Sequence, residues 1–255
     1  MEEEGRLTGK NGLGPMEALL LIHRRLRYRR LLGAERLPKE LAQRLLSLME
    51  AEICRMRDSQ QALEEVAREV SSCRRCPLSR YRTHVVVGEG SPQAEIVFVG
   101  EGPGEEEDRM GRPFVGPAGQ LLTRIIQAMG LRREDVYIAN VVKCRPPGNR
   151  VPNEDEIEAC RGFLLRQLRA IRPRVICALG GVAAKTLLKT TRPISQLRGR
   201  FHVWEESLVM PTYHPSYLLR NPERKRQVWD DMKMVMDLLK PQTNDGPQRG
   251  GNAGD

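Results

Sequence analysis

A chain of 255 residues, 40% hydrophobic and 29% charged, can bury a full single-domain core with an appendage. It holds no apolar run long enough to cross a membrane. With 42 Lys and Arg against 33 Asp and Glu, its formal net charge of +9 favours a polyanionic partner, most simply nucleic acid. Aromatic residues make up only 4%, which excludes a broad stacking platform for single strands.

In chain order, residues 1–15 are polar and carry no apolar period, which reads as a disordered tail. Residues 16–70 read as a helical N-terminal extension. Leu19, Leu20, Ile22 and Leu26, then Leu41, Leu45 and Leu48, then Leu63, Val66 and Val70 recur at helical spacing, and the Leu37-Pro38 step divides two or three helices. The run Arg24, Arg25, Arg27, Arg29 and Arg30 within it reads as a solvated face.

From Cys73 onward, short β-branched runs alternate with amphipathic segments. Strands are expected over Glu95 to Gly100, Val136 to Val142, Arg174 to Gly180 and Ser207 to Tyr213, and helices over Pro117 to Met129, Asn153 to Ile171, Val182 to Leu188 and Glu223 to Leu239. This alternation predicts an α/β domain over residues 71–240 with a mostly parallel sheet. Residues 241–255, rich in Gly, Asn, Gln and Asp, read as a second disordered tail.

Four of the six cysteines have metal-ligand character: Cys73 and Cys76 as C-x-x-C, then Cys144 and Cys160 with fifteen residues between them. An all-thiolate, four-ligand site suits zinc or an iron-sulfur cluster, and the wide second spacing favours the cluster. Cys54 and Cys177 lie in apolar patterns and read as packing. A chain of this length needs no disulfide staples and shows no secretory h-region or membrane-spanning run, so a reducing cytoplasm is expected.

Unusual residues cluster just after the expected strands. GEGPGEEED follows the first, Asn140 and KCRPPGNR lie at and after the second, a Gly-Gly pair ends the third, and YHPSYLLRNP follows the fourth. Loops at the carboxyl ends of parallel strands line one crevice, so a single active site is expected to collect them. GEGPGEEED is not a dinucleotide fingerprint, and GGVAAKT has Ala184 where a P-loop needs Gly, so nucleotide hydrolysis is disfavoured.

The set CRRCPL, GEGPGEEED, GRPFVGPAGQLL, ANVVKCRPPGNR and TYHPSYLLRNP resembles family 4 of the uracil-DNA glycosylases, the iron-sulfur branch of that superfamily. The resemblance runs from about Ser71 to Lys240. It implies a three-layer fold with a four-stranded, mostly parallel sheet between helices, and a structural 4Fe-4S cluster on Cys73, Cys76, Cys144 and Cys160. It implies excision of uracil from DNA as the first step of base excision repair, by a flipped nucleotide entering a pocket.

By the same resemblance Asn140 reads the uracil edge, Phe114 stacks on the base, and Glu101 lies beside it. His214 contacts O2 of the departing base, and Glu107 and Asn149 place the water. Leu218, Leu219 and Arg220 enter the DNA. No motif positions a lysine as a Schiff-base nucleophile, so a monofunctional hydrolase without strand cleavage is expected; a monomer is expected as well. The alternative is a non-catalytic iron-sulfur DNA-binding module, joined to a protein partner through residues 16–70.

Overall fold

The computed structural model describes residues 39–240. The tails, the apolar repeat from Leu19 to Leu26, the arginine run and the Leu37-Pro38 break lie outside the described residues.

The described part of the extension is one helix, α1 (Lys39–Ser71). Its residues Leu46, Ile53, Met56, Leu63, Val66 and Val70 are buried at intervals of three, four and seven, whereas Leu48 faces solvent. Leu63, Val66 and Val70 belong to the same core as the sheet, so the last turns of α1 are part of the domain that follows. The Ser59 hydroxyl donates to the Ala170 carbonyl at 2.8 Å and fixes α1 to the helix carrying Cys160.

Six strands follow: β1 (Glu89–Gly90), β2 (Ile96–Gly100), β3 (Tyr137–Asn140), β4 (Val175–Leu179), β5 (His202–Trp204) and β6 (Ser207–Thr212). Their order is β1-β3-β2-β4-β6-β5. The four expected strands form the parallel centre, with Gly100 opposite Asn140 and Leu179 opposite Thr212. The expectation of four strands is corrected to six, because β1 and β5 add short antiparallel edges. These edges carry too few residues to show a period, and covering a parallel centre with an antiparallel edge is common.

The helices are α2 (Glu105–Met110), α3 (Pro117–Ala128), α4 (Glu154–Ile171), α5 (Gly181–Leu188), α6 (Ile194–Leu197), α7 (Pro215–Arg220) and α8 (Lys225–Leu239). Strand alternation builds three layers. Ile96 and Phe98 of β2 pack with Leu122 and Ile126 of α3 and Val228 and Met232 of α8. Val97 and Val99 point the other way, toward Val66 of α1 and Leu164 and Leu168 of α4. Each such fully buried side chain contributes about 1.5–3 kcal/mol. Each strand buried on both faces therefore reads as a continuous apolar run.

Candidate functional site

The loops after β2, β3, β4 and β6 converge as expected on one cleft of about 880 Å³. It is lined by Glu101, Glu107, Phe114, Asn140, Asn149 and His214.

Asn140 ends β3 and is 1% exposed, and its Oδ1 has no hydrogen-bond partner among the described residues. A buried amide oxygen left unpaired costs about 1–3 kcal/mol, so the site is built to be completed by a ligand donor. Its main chain is held from below. Lys143 Nζ, itself fully buried, donates to the Asn140 carbonyl at 2.9 Å and to Gln167 Oε1 at 2.6 Å. Gln167 Nε2 in turn donates to the Val87 carbonyl and to the Tyr137 hydroxyl. Gly100, opposite Asn140, must be glycine: a Cβ there would lie 2.4 Å from Asn140 Oδ1 and 2.5 Å from Phe114 Cζ.

Phe114 has φ 51°, a left-handed conformation that other contacts must enforce. Three groups grip its loop. Glu107 Oε1 accepts from Val115 N and Gly116 N, each at 2.9 Å, while Oε2 accepts from Gly104 N at 3.1 Å. Arg133, just ahead of β3, donates to the carbonyls of Phe114 and Pro113 and pairs with Glu89. Gly119 lets α3 approach, since a Cβ there would lie 1.9 Å from the Phe114 carbonyl oxygen. The result places the Phe114 ring 5.6 Å from the His214 ring, centroid to centroid.

His214 caps α7: its Nδ1 accepts from Ser216 N at 3.1 Å and pairs with Ser216 Oγ at 2.8 Å. Accepting a backbone N–H leaves Nδ1 unprotonated and puts the ring hydrogen on Nε2. Burial pushes the imidazole down from 6.5 to about 4, opposed by the Glu107 charge and assisted by that of Arg220. The cleft therefore presents a neutral imidazole N–H donor at physiological pH. Glu101 also lines the cleft, and burial raises its carboxyl above the ordinary range. Asn149, exposed and at φ 55°, accepts from Arg145 Nε at 2.8 Å through Oδ1, which leaves its amide hydrogens for the cleft.

The four expected cysteine ligands line one narrow cavity between α1, α4 and the loop after β3. Arg82 donates to Cys144 Sγ at 3.1 Å, and Lys143 is close enough to act electrostatically on Cys160. Among the described residues no three His, Cys, Asp or Glu side chains are gathered tightly enough for a single metal ion. Four thiols around one cavity, with the cations Arg82 and Lys143 against them, form a donor set fit for an anionic thiolate-bound metal group. The two remaining cysteines differ: Cys177 is packed in the core as expected, whereas Cys54 is exposed.

The profile of the Uracil DNA glycosylase superfamily matches residues 87–233. A Type-4 uracil-DNA glycosylase of Thermotoga maritima is 50% identical over 185 residues, 71% of this chain and 96% of that protein. The Type-4 uracil-DNA glycosylase of Sulfurisphaera tokodaii is 47% identical over 186 residues, 69% of this chain and 84% of that protein. The chain belongs to the uracil-DNA glycosylase superfamily, in its type-4 branch. A Type-5 uracil-DNA glycosylase of Pyrobaculum aerophilum is more distant, 33% identical over 170 residues, 58% of this chain and 75% of that protein.

For a glycosylase the placement of the last motif matters most. Leu218, expected at the DNA, is 1% exposed and packs with Leu121, Leu122 and Val228 in the core, so it is corrected to a packing residue. Leu219 is 44% exposed and Arg220 is exposed, and these remain available to DNA. Tyr213, Tyr217 and Arg224 also line the cleft and were not singled out from the sequence. Tyr213, just ahead of the α7 cap, and Tyr217 within α7 have rings 5.1 Å apart. Arg133 escaped notice because it lies outside every motif.

Proposed function

We propose that this chain excises uracil from DNA by hydrolysing its N-glycosidic bond, leaving an abasic site for base excision repair. The observation that carries this is the meeting of three groups in one cleft: the unpaired Asn140 amide, the Phe114 ring and the neutral His214 N–H.

The flipped base stacks on Phe114, and Asn140 pairs with its edge, the amide N–H donating to O4 and Oδ1 accepting from N3–H. Bond cleavage leaves negative charge on the departing base and positive charge on the sugar. His214 Nε2–H donates to O2 as that charge grows, and because the imidazole starts neutral it stabilises the anion without first losing a proton. Asn149 holds the attacking water through its free amide hydrogens, beside the Glu101 carboxyl. Glu107 acts through the loop, since its two oxygens already accept three backbone N–H groups. Leu219 and Arg220 face the duplex.

Cys73, Cys76, Cys144 and Cys160 hold a 4Fe-4S cluster in this reading. Cys73 and Cys76 just after α1, Cys144 in the loop after β3 and Cys160 of α4 would hold the cluster, whose contribution would be structural. Burial pushes the Cys160 thiol up to about 11, so loading displaces protons. The purified protein is expected to be brown with broad absorption near ~400 nm. Colourless protein carrying zinc would refute the cluster.

The domain over residues 71–240, completed by the last turns of α1, is the catalytic unit of a cytoplasmic monomer, and the extension over residues 16–70 joins it to a protein partner. Among the described residues no helix is long and apolar enough to cross a membrane.

Incubation with uracil-containing single- and double-stranded oligonucleotides, followed by alkaline cleavage at abasic sites, tests the activity. Strand scission only after alkali is expected. Scission before alkali would contradict the monofunctional assignment.

A further inference from the structure

Four arginines fall within nine residues around the first cysteine pair, Arg74, Arg75, Arg80 and Arg82, with no acidic residue among them. They border an open recess of about 680 Å³. Two of them have structural partners. Arg82 donates to Cys144 Sγ and to the Ser71 carbonyl, each at 3.1 Å. Arg75 lies 4.5 Å over the Phe163 ring and 3.9 Å from Glu69. Arg74 and Arg80 are exposed and have no ion pair or hydrogen-bond partner among the described residues. Beside them Tyr81 is 63% exposed, a large ring left in water at the same edge.

This edge is continuous with the catalytic cleft. Arg150 lines the cleft and holds Glu156 through two bonds of 2.7 and 2.8 Å. Recess and cleft meet across the loop after β3: Arg82 of the recess donates to Cys144 Sγ, and Pro146, Asn149 and Arg150 of the same loop line the cleft. A strand leaving the cleft past Arg150 meets two unpaired guanidinium groups and an aromatic face. That is the composition that holds phosphates and stacks a sugar or base.

We infer that Arg74, Arg80 and Tyr81 form a second DNA-contact surface, which grips the phosphates of the strand flanking the flipped nucleotide on the Arg150 side. The identity of the polyanion rests on the glycosylase reading. The surface itself rests on the recess and its unpaired cations.

The test is the salt dependence of binding to uracil-free DNA, which needs no catalysis, for the parent and the Arg74→Ala/Arg80→Ala double variant. Each phosphate contact contributes about one to the slope of log K against log salt, so the double variant is expected to lose about two. Raising salt from roughly 50 to 200 mM then costs it about tenfold less affinity than it costs the parent. The Arg74→Lys/Arg80→Lys pair is expected to restore most of the slope, and Tyr81→Ala to weaken binding without changing it. In a separate series on uracil-containing oligonucleotides, shortening the strand on one side of the uracil is expected to raise KM for the parent but not for the double variant. Visible absorbance and kcat at saturating substrate are expected to stay unchanged.

An unchanged slope, or equal losses on shortening in both proteins, would overturn the surface. A changed slope in a protein that releases no uracil would leave the surface standing and refute the glycosylase reading instead.

Discussion

Replacing Glu107 by Gln separates the two roles open to this carboxylate, holding the Phe114 loop or activating water. Gln keeps one carbonyl oxygen for Val115 N and Gly116 N, but turns an NH2 toward Gly104 N, so a donor faces a donor where a 3.1 Å bond stood. A hydrogen bond to a charged group contributes about 1.5–3 kcal/mol. For a domain of this size, about 2–4 °C of melting temperature accompanies each kcal/mol, so Glu107→Gln is expected to melt roughly 3–12 °C lower. Glu107→Ala, which strips all three donors of their acceptor, is expected to lose at least twice as much. The loop carries Phe114, so KM for uracil DNA is expected to rise while the shape of the kcat–pH profile is kept. Thermal melting by circular dichroism and steady-state kinetics across pH measure both. A Glu107→Gln protein that melts with the parent yet loses a pH limb and about 10²-fold or more in kcat would refute the scaffold role and make the carboxylate a base.

Two other substitutions probe the same cleft. Because burial lowers His214 from 6.5 to about 4, kcat is expected to show no acid limb near 6.5 and to fall only as pH approaches 4. The unfolded chain takes up a proton at this residue between those values that the folded chain refuses, so stability falls as pH drops through the same window. His214→Ala is expected to lower kcat by about 10²–10³ with KM little changed, as for loss of one anion-stabilising donor. An acid limb at 6.5, abolished in the variant, would mean that the imidazolium is the working form. In Gly119→Ala the new Cβ meets the Phe114 carbonyl oxygen at 1.9 Å, so backbone must move. Loss of base stacking of about 1–3 kcal/mol is expected as a roughly 5- to 160-fold rise in KM, and an unchanged KM would show that Phe114 does not bear the base.

The parallel centre of the sheet was legible because its strands are buried on both faces and read as apolar runs, as in Ile96 to Val99. β1 and β5 were not, since two or three half-exposed residues leave no period to detect. Convergence of the strand-end motifs followed from topology alone, and Asn140 and His214 stand where that topology sends them, whereas Phe114, beyond α2, reaches the cleft by a loop the topology does not specify. The face of a six-residue helix was a different matter. Leu218 and Leu219 are chemically alike and adjacent, and only the phase of α7 against α3 and α8 puts one in the core and the other in solvent. The partners of Glu107 were equally hidden, because Val115 and Gly116 reach it by a loop closure that no local pattern encodes. Arg133 holds Phe114 across nineteen positions of sequence, as a guanidinium donating to a carbonyl, and any arginine in the chain offers the same donors.

Single-turnover excision on a U·G duplex by the parent and by Asn140→Asp tests the base-reading cleft most directly. The carboxylate sets an acceptor against O4 where the amide offered a donor. The parent is expected to release free uracil completely and to leave thymine in a T·G duplex untouched, with the variant slower by about 10² or more. A cluster-loaded parent that binds DNA and releases no uracil, or an Asn140→Asp protein as fast as the parent, would contradict the proposed function or the assignment of Asn140.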